Sequence, residues 1–188
     1  MIFVIDTSAT RWAVATIEDD GRGRTLIESS DRPDLAAIYR KVEKPAAVAV
    51  ATGPGSFTGL RVGVSFGLGI AIGLRIPIIP LPSLDLQAAR SDRPAVAVIE
   101  AGRGRVYYQV PGGRPTLGDP ADVPLSLPLV GNVGPKTGAA LIAAGHRFEP
   151  AQDLKQFAAA AAIVLETARE VAYGSLEIKY MQSFLAQP

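Results

Sequence analysis

The sequence predicts an α/β fold built from two similar halves, and three observations support this prediction. Patterns typical of β-strands alternate along the chain with patterns typical of helices. Residues 2–17 and 95–110 resemble each other, because each has an apolar strand ending in an acid, a five-residue polar turn and a second strand. The two acids, Asp6 and Glu100, lie 94 residues apart, half of the 188-residue chain. A duplicated unit explains this spacing, although two unrelated hairpins would also produce the pattern.

The first half, 1–92, continues after its hairpin with alternating strands and helices, as a layered α/β unit requires. The predicted elements are a strand at 25–28, a helix at 34–42, a strand at 46–51, a long helix after a Gly-rich turn, a strand at 76–79 and a helix capped by Ser83. The strand at 46–51 is fully apolar, so we expect it to be covered on both faces.

The second half, 93–188, begins with the repeated hairpin. Its further predicted elements are irregular strands and loops at 111–128, a strand at 129–131, a short helix at 136–144, a last helix and a short, partly helical tail at 175–185. Asp153 and Gln156 have the spacing of a capping box, which predicts that the last helix starts there and ends at Gly174. We expect this helix either to stay with the second half or to pack back on the first.

Composition excludes several classes of chemistry. The chain has no Cys, which excludes a disulfide scaffold, a thiolate zinc site, an iron–sulfur cluster and a catalytic cysteine. Its one histidine, His146, follows an Ala-rich helix and is expected in an exposed loop. A single imidazole cannot build a paired-histidine metal site, so we expect no tightly bound metal and no cofactor. The net charge of +1 creates no overall basic field that would attract nucleic acid.

The location of the protein is predicted from its apolar segments. Asp6 and Arg11 interrupt the N-terminal apolar pattern, so no secretory signal is present. The long apolar run at 62–74 is shorter than the roughly 18–20 residues that span a membrane. We therefore expect a cytoplasmic protein without a membrane partner.

A glycine-rich turn joins the apolar strand to the long helix, and residues 53–67 read Gly-Pro-Gly-Ser-Phe-Thr-Gly-Leu-Arg-Val-Gly-Val-Ser-Phe-Gly. Such a turn can cradle a phosphate at a helix N-terminus. However, Leu60 stands where a P-loop has lysine, and the glycines are spaced one residue too widely for the dinucleotide motif. Pro54 also removes an amide donor. The favoured interpretation is a tight turn capped by Ser56 or Thr58, with phosphate binding as the alternative.

The long helix has a glycine at every fourth position, Gly59, Gly63 and Gly67, with Gly69 and Gly73 on a neighbouring face. Four interior glycines destabilise a helix by about 4 kcal/mol relative to alanine. A row of small residues lets another backbone approach closely, and a helix that is apolar all round must be covered all round. We predict a partner interface here, with close packing on the protein's own sheet as the alternative. The predicted interface residues are Thr58, Gly59, Leu60, Val62, Gly63, Phe66, Gly67 and Ile70.

Two further expectations follow from these residues. If the glycine row faces outward, Gly63→Leu and Gly67→Leu should block association and leave the monomer folded. The hairpin turn at Asp6, Thr7 and Ser8 offers hydroxyls and amides to a phosphate, with a structural role of Asp6 in the turn as the alternative.

Several motifs resemble the TsaB (YeaZ) family. They are Ile-Asp-Thr-Ser at 5–8, Gly-Pro-Gly-Ser-Phe-Thr-Gly-Leu-Arg at 53–61 and Pro-Leu-Pro-Ser-Leu at 80–84. The segment Glu-Ala-Gly-Arg-Gly-Arg-Val-Tyr at 100–107 is similar to the family's Asp-Ala-Arg-Arg-Gly-Glu-Val-Tyr, with Gly102 in place of Arg and Arg105 in place of Glu. The region before Gly53 is shorter than the family usually has.

The resemblance implies an actin-like ATPase (ASKHA) fold of two ribonuclease H-like halves, with mixed central sheets flanked by helices. It implies a non-catalytic subunit that supports the transferase TsaD in forming threonylcarbamoyladenosine in tRNA, with the ATPase TsaE as a third component. We expect a heterodimer with TsaD, a homodimer when the chain is alone, and contact with tRNA only through the complex. The alternative is an ATP-dependent kinase or transferase that uses Asp6 and Glu100 as cleft carboxylates.

Overall fold

The computed structural model describes residues 1–181 and contains two mixed β-sheets. The first sheet has the order β3-β2-β1-β4-β5 and the second has the order β8-β7-β6-β9. The strands are β1 (Ile2–Asp6), β2 (Trp12–Ile17), β3 (Gly23–Ser29), β4 (Ala47–Gly53), β5 (Ile78–Pro82), β6 (Val96–Gly102), β7 (Arg105–Gln109), β8 (Thr116–Gly118) and β9 (Leu129–Asn132). The helices are α1 (Leu35–Tyr39), α2 (Phe57–Leu74), α3 (Ser83–Ala88), α4 (Pro135–Ala143) and α5 (Phe157–Thr167).

Both sheets are built around the repeat that the sequence contains. Strand β1 pairs antiparallel with β2 and parallel with β4. Strand β6 likewise pairs antiparallel with β7 and parallel with β9. The related pairing confirms the mixed α/β architecture with helices against two sheets. The boundary proposed between 92 and 93 stays a prediction, because α5 belongs to the second half in sequence and packs on β2 and β3 of the first sheet.

Strand β4 is covered on both faces, as its apolar sequence predicts. Val48 and Val50 pack in the cluster that contains Val64 of α2, whereas Ala49 and Ala51 pack in the cluster that contains Phe157 of α5. Successive side chains of a strand point to opposite faces. Helix α2 therefore covers one face of the first sheet and α5 covers the other.

The last helix differs from the sequence-based expectation at both ends. Helix α5 runs from Phe157 to Thr167, while Ala151–Asp153 forms a separate 3₁₀ turn. The predicted capping box at Asp153 is therefore wrong, and the helix ends before Gly174. In the first turn of α5, the Ala158 N–H donates a hydrogen bond to the Thr25 hydroxyl on β3 at 3.0 Å.

The segment after α5 runs beside α2. Near its start, the Tyr173 hydroxyl donates to the Ile76 carbonyl at 2.9 Å, just beyond the C-terminal end of α2. Near its end, the Lys179 N–H donates to the Thr52 carbonyl at 2.8 Å, just before the N-terminal turn of α2. The predicted helical tail is wrong for 176–181, which contain no helix, and 182–185 lie outside the described residues.

Two smaller expectations also need correction. His146 follows α4 and was expected in an exposed loop, but it is only 4% exposed. Its ring Nε2 lies 3.1 Å from the Pro120 carbonyl oxygen. Ser83 is the first residue of α3 and does not cap it; its hydroxyl accepts from the Gly53 N–H at 3.0 Å. This bond ties the start of α3 to the end of β4.

Candidate partner-binding helix and the adjoining cleft

The turn before α2 is held against the first hairpin. The Ser56 hydroxyl accepts from the Gly59 N–H at 3.2 Å, which confirms Ser56 as the N-cap. The Ser56 N–H donates to the Ser8 carbonyl at 2.7 Å. The N-terminus of α2 is therefore fixed by the β1–β2 turn.

The glycine row of α2 faces the protein's own sheet. A Cβ atom on Gly59 would overlap the Thr7 carbonyl oxygen, one on Gly63 would overlap the Thr7 hydroxyl, and one on Gly67 would overlap a methyl of Val50. The Thr7 hydroxyl donates to the Gly59 carbonyl at 2.7 Å. The close approach of α2 to the sheet therefore requires these glycines.

This packing corrects part of the predicted interface. Gly59, Leu60, Gly63 and Gly67 are buried within the chain, so they cannot contact a partner. Gly63→Leu and Gly67→Leu were expected to leave the monomer folded only if the row faced outward, and this condition is not met. The remaining predicted residues, Thr58, Val62, Phe66 and Ile70, are exposed or partly exposed.

The outer face of α2, defined by Thr58, Val62, Ser65, Gly69, Ile72 and Gly73, is apolar or small and exposed. Val62 is 39% exposed and Ile72 is 51% exposed. A Cβ atom on Gly69 or Gly73 would meet no atom within 4 Å. Packing within the described chain therefore explains Gly63 and Gly67 but gives no reason for these two glycines, which make the outer face flat.

Helix α2 is long and apolar enough to cross a membrane by length and composition alone, because it has 18 residues rather than the 13 of the apolar run. The buried residues of α2, among them Leu60, Val64 and Ala71, lie against the first sheet. We interpret α2 as a helix of the folded core, since one face of it already covers that sheet.

The hairpin turn at Asp6, Thr7 and Ser8 is buried, with each residue at most 2% exposed. The Asp6 carboxylate accepts from the Ser8 N–H at 2.8 Å and from the Ser8 hydroxyl at 2.6 Å. The Thr7 hydroxyl is bonded to Gly59, as described above. The turn therefore offers none of these three side chains to a phosphate, and Asp6 has the structural role.

The buried position of Asp6 makes stability depend on pH. Burial raises the pKa of the Asp6 carboxyl above its ordinary value, and the hydrogen bonds from Ser8 lower the pKa in part. The folded state thus holds the proton more tightly than the unfolded chain does. The free energy of unfolding should fall as the pH rises from about 4 through the raised pKa of Asp6.

A comparison of the wild type with Asp6→Asn tests this expectation. The side-chain amide oxygen of Asn can accept the hydrogen bonds from Ser8, but it carries no charge. We expect urea denaturation to give similar free energies of unfolding for the two proteins near pH 4. At higher pH the wild type should become less stable relative to Asp6→Asn. A wild type that gains stability relative to the variant as pH rises would contradict this assignment.

A cavity of about 530 Å³ lies where the two hairpin turns meet, lined by Ser8 of the first turn and by Glu100 and Gly102 of the second. The Glu100 carboxylate accepts from the Gly134 N–H at 2.5 Å, at the N-terminus of α4. Asp6 is therefore not an open cleft carboxylate, whereas Glu100 lines the cavity with one of its oxygens bonded to Gly134. Within residues 1–181, no three His, Asp or Glu side chains form a group that could hold a metal.

The mouth of this cavity contains a cluster that the sequence analysis did not identify. The Arg61 guanidinium stacks on the Phe57 ring, with its carbon 3.8 Å from the ring centroid. The Arg61 Nε–H donates to the Tyr180 hydroxyl at 3.1 Å, and the Phe57 and Tyr180 ring centroids are 5.3 Å apart. The i,i+4 spacing of Phe57 and Arg61 was a visible signal, but Tyr180 is 119 residues away along the chain.

Comparisons with known proteins agree with the motifs and the fold. The profile of TsaD, tRNA N6-adenosine threonylcarbamoyltransferase, matches residues 35–123. The tRNA threonylcarbamoyladenosine biosynthesis protein TsaB of Escherichia coli is 37% identical over 123 residues, or 57% of this chain. TsaB of Bacillus subtilis is 40% identical over 72 residues, or 35% of this chain. These matches show that the chain is similar to TsaB (YeaZ) proteins. The matched segments span 53% of the E. coli TsaB and 31% of the B. subtilis TsaB, about half or less of these relatives.

The solved YeaZ of Pseudomonas aeruginosa has the same fold as this chain. The two superimpose with a TM-score of 0.74 at 18% identity, covering 96% of this chain and 99% of the other. A second P. aeruginosa structure, described as an uncharacterized protein with similarity to peptidase YEAZ, has a TM-score of 0.68 at 19% identity. The chain therefore has the YeaZ fold, and its two mixed sheets flanked by helices agree with the predicted actin-like (ASKHA) architecture.

Proposed function

We propose that this chain is a TsaB, a non-catalytic subunit that binds and supports the TsaD transferase in forming threonylcarbamoyladenosine in tRNA. The relatives' names support the pathway, since they describe tRNA threonylcarbamoyladenosine biosynthesis proteins. The protein acts in the cytoplasm, where TsaE is the third component. It contacts tRNA only through the complex.

The observation that carries this proposal is the outer face of α2. This face is exposed and uncharged, and its two glycines have no packing role among residues 1–181. Such a face is suited to another helix, because small residues let two backbones approach closely. Dispersion contacts along several turns then offset the helix propensity lost at Gly69 and Gly73. In the absence of TsaD, the same face pairs with a second copy about a two-fold axis.

The non-catalytic part of the proposal is supported by the cleft. Asp6 and Glu100 are the two acids that a kinase or transferase mechanism would use, and both accept hydrogen bonds within the fold. The chain has one His and no Cys, so it lacks the residues for a histidine-based metal centre.

The test is to mix the purified chain with the TsaD of the same organism and to measure complex formation by sedimentation velocity. We expect a stable complex, increased threonylcarbamoyladenosine formation when TsaE and ATP are added, and no ATP hydrolysis by the chain alone. Failure to form a complex would contradict the proposed partner. ATP hydrolysis by the isolated chain would favour the kinase or transferase alternative.

A further inference from the structure

The cluster of Phe57, Arg61 and Tyr180 lies at the N-terminal end of α2, next to its outer face. All three residues are exposed to solvent: Phe57 is 38% exposed, Tyr180 is 42% exposed, and Arg61 is exposed as well. Thr58 and Val62 of the outer face are the chain neighbours of Phe57 and Arg61. The cluster and the outer face therefore form one continuous surface.

Contacts within the cluster orient the Arg61 guanidinium before any partner binds. The Phe57 ring supports one face of the guanidinium at 3.8 Å, and the Tyr180 hydroxyl accepts from Nε at 3.1 Å. The backbone of the Tyr180 segment is itself bound, through the Lys179 N–H to the Thr52 carbonyl at 2.8 Å. A fixed guanidinium loses less conformational entropy on binding than a mobile one.

The charge of Arg61 is not compensated within the described chain. The ion pairs among residues 1–181 involve other basic groups, and none joins Arg61 to a carboxylate. The terminal N–H groups of a guanidinium match the geometry of a carboxylate, which they bind in a bidentate manner. The positive end of the α2 dipole adds to the attraction for an anion.

We propose that Arg61, positioned by Phe57 and Tyr180, binds a carboxylate side chain of the partner protein that docks on the outer face of α2. This inference rests on the proposed function, and the partner is the TsaD transferase. Aromatic residues and arginines surrounded by apolar contacts are the typical energetic centres of interfaces. The outer face supplies the apolar contacts, and the cluster supplies the charged one.

The same chemistry distinguishes the partner from a second copy of this chain. Helix α2 contains no Asp or Glu, so α2 of a second copy brings no carboxylate to Arg61. Arg61 should therefore strengthen the complex with TsaD and contribute little to self-association. This difference makes the heterodimer the favoured assembly when both proteins are present.

The experiment measures the affinity of the full chain for TsaD at several salt concentrations. We expect Arg61→Ala to weaken binding by about 30-fold and to reduce the dependence of affinity on salt. Arg61→Lys keeps the charge but loses the planar group, so it should restore binding only in part. Tyr180→Phe should weaken binding by a smaller factor, because it removes only the hydroxyl that orients Nε. Arg114→Ala is the matched control, since it removes an exposed arginine outside α2.

Circular dichroism and thermal denaturation of each variant distinguish a loss of binding from a loss of folding. If Arg61→Ala does not fold, Arg61→Gln takes its place in the experiment. A charge-reversed Arg61→Glu that regains binding to one acid-to-arginine variant of TsaD would identify the paired carboxylate. Folded Arg61 variants that bind TsaD with wild-type affinity and salt dependence would overturn the inference and leave the proposed function intact. A wild-type chain that does not bind TsaD would overturn both.

Discussion

Gly59→Ala should lower the free energy of unfolding by about 3 kcal/mol, the upper part of the range for overpacking substitutions. The added Cβ atom would overlap the Thr7 carbonyl oxygen, which belongs to backbone and cannot rotate away. Relief requires α2 to move from the sheet, and this would weaken the hydrogen bond of 2.7 Å between the Thr7 hydroxyl and the Gly59 carbonyl. Urea denaturation with an unchanged m-value is the measurement.

Gly69→Ala is the matched control, because it makes the same change on the outer face of the same helix. No atom of residues 1–181 lies within 4 Å of the added Cβ atom, so we expect only helix propensity to matter. We expect the free energy of unfolding to rise by about 0.5–1 kcal/mol. Two variants that shift stability in the same direction would contradict the assignment of inner and outer faces.

Gly69→Leu and Ser65→Leu should weaken the complex with TsaD by about 100-fold or more, because a leucine on a flat face blocks the close approach of another helix. Both positions are exposed, so the monomer should remain folded. Self-association of the isolated chain should fall as well, since the proposed homodimer uses the same face. Sedimentation velocity of each variant, with and without TsaD, provides the measurement.

Ala159→Leu is the control for this experiment, because it adds the same side chain at an exposed position of α5. It should bind TsaD as the wild type does. Folded Gly69→Leu and Ser65→Leu variants with wild-type affinity would show that the outer face of α2 is not the partner surface. Loss of binding in Ala159→Leu as well would indicate an effect on the whole fold.

The local elements of this protein follow from the sequence, because short-range signals decide them. The apolar strands that end in the acids Asp6 and Glu100, each followed by a polar turn and a second strand, predict two related hairpins, and both form with related neighbours. The uninterrupted apolar run of β4 predicts burial on both faces, which α2 and α5 provide. Residue type limited the N-cap of α2 to Ser56 or Thr58, and the hydrogen bond from the Gly59 N–H identifies Ser56.

The last helix marks the limit of such signals. Leu154 and Ala168 fit the helical spacing of apolar residues, but only Phe157–Thr167 is helical. The flanking residues are occupied elsewhere: the Lys155 N–H donates to the Arg90 carbonyl at 2.8 Å, and the Val171 N–H donates to the Ile78 carbonyl at 3.0 Å. Contacts between distant segments therefore decide where α5 begins and ends.

The orientation of α2 was not available from the sequence. A helix that is apolar or small on nearly all sides has little amphipathic asymmetry, so periodicity cannot tell its inner face from its outer face. The glycine row at Gly59, Gly63 and Gly67 has the same spacing whether a partner helix or the protein's own sheet approaches it. The structure shows that the sheet approaches the row, because the Thr7 carbonyl oxygen lies against Gly59. Thr7 directly follows β1, which takes its place in the sheet by pairing with β4.

The sequence by itself therefore determined the α/β class, the repeated hairpins, the resemblance to TsaB and the absence of a paired-histidine metal site. Each of these depends on residue type or on spacing within a few residues. Tertiary structure alone decided which glycines face inward, which acids accept hydrogen bonds within the fold, and that Arg61 contacts Tyr180. These features join residues far apart in the chain, and only packing of the two sheets and their helices brings such residues together.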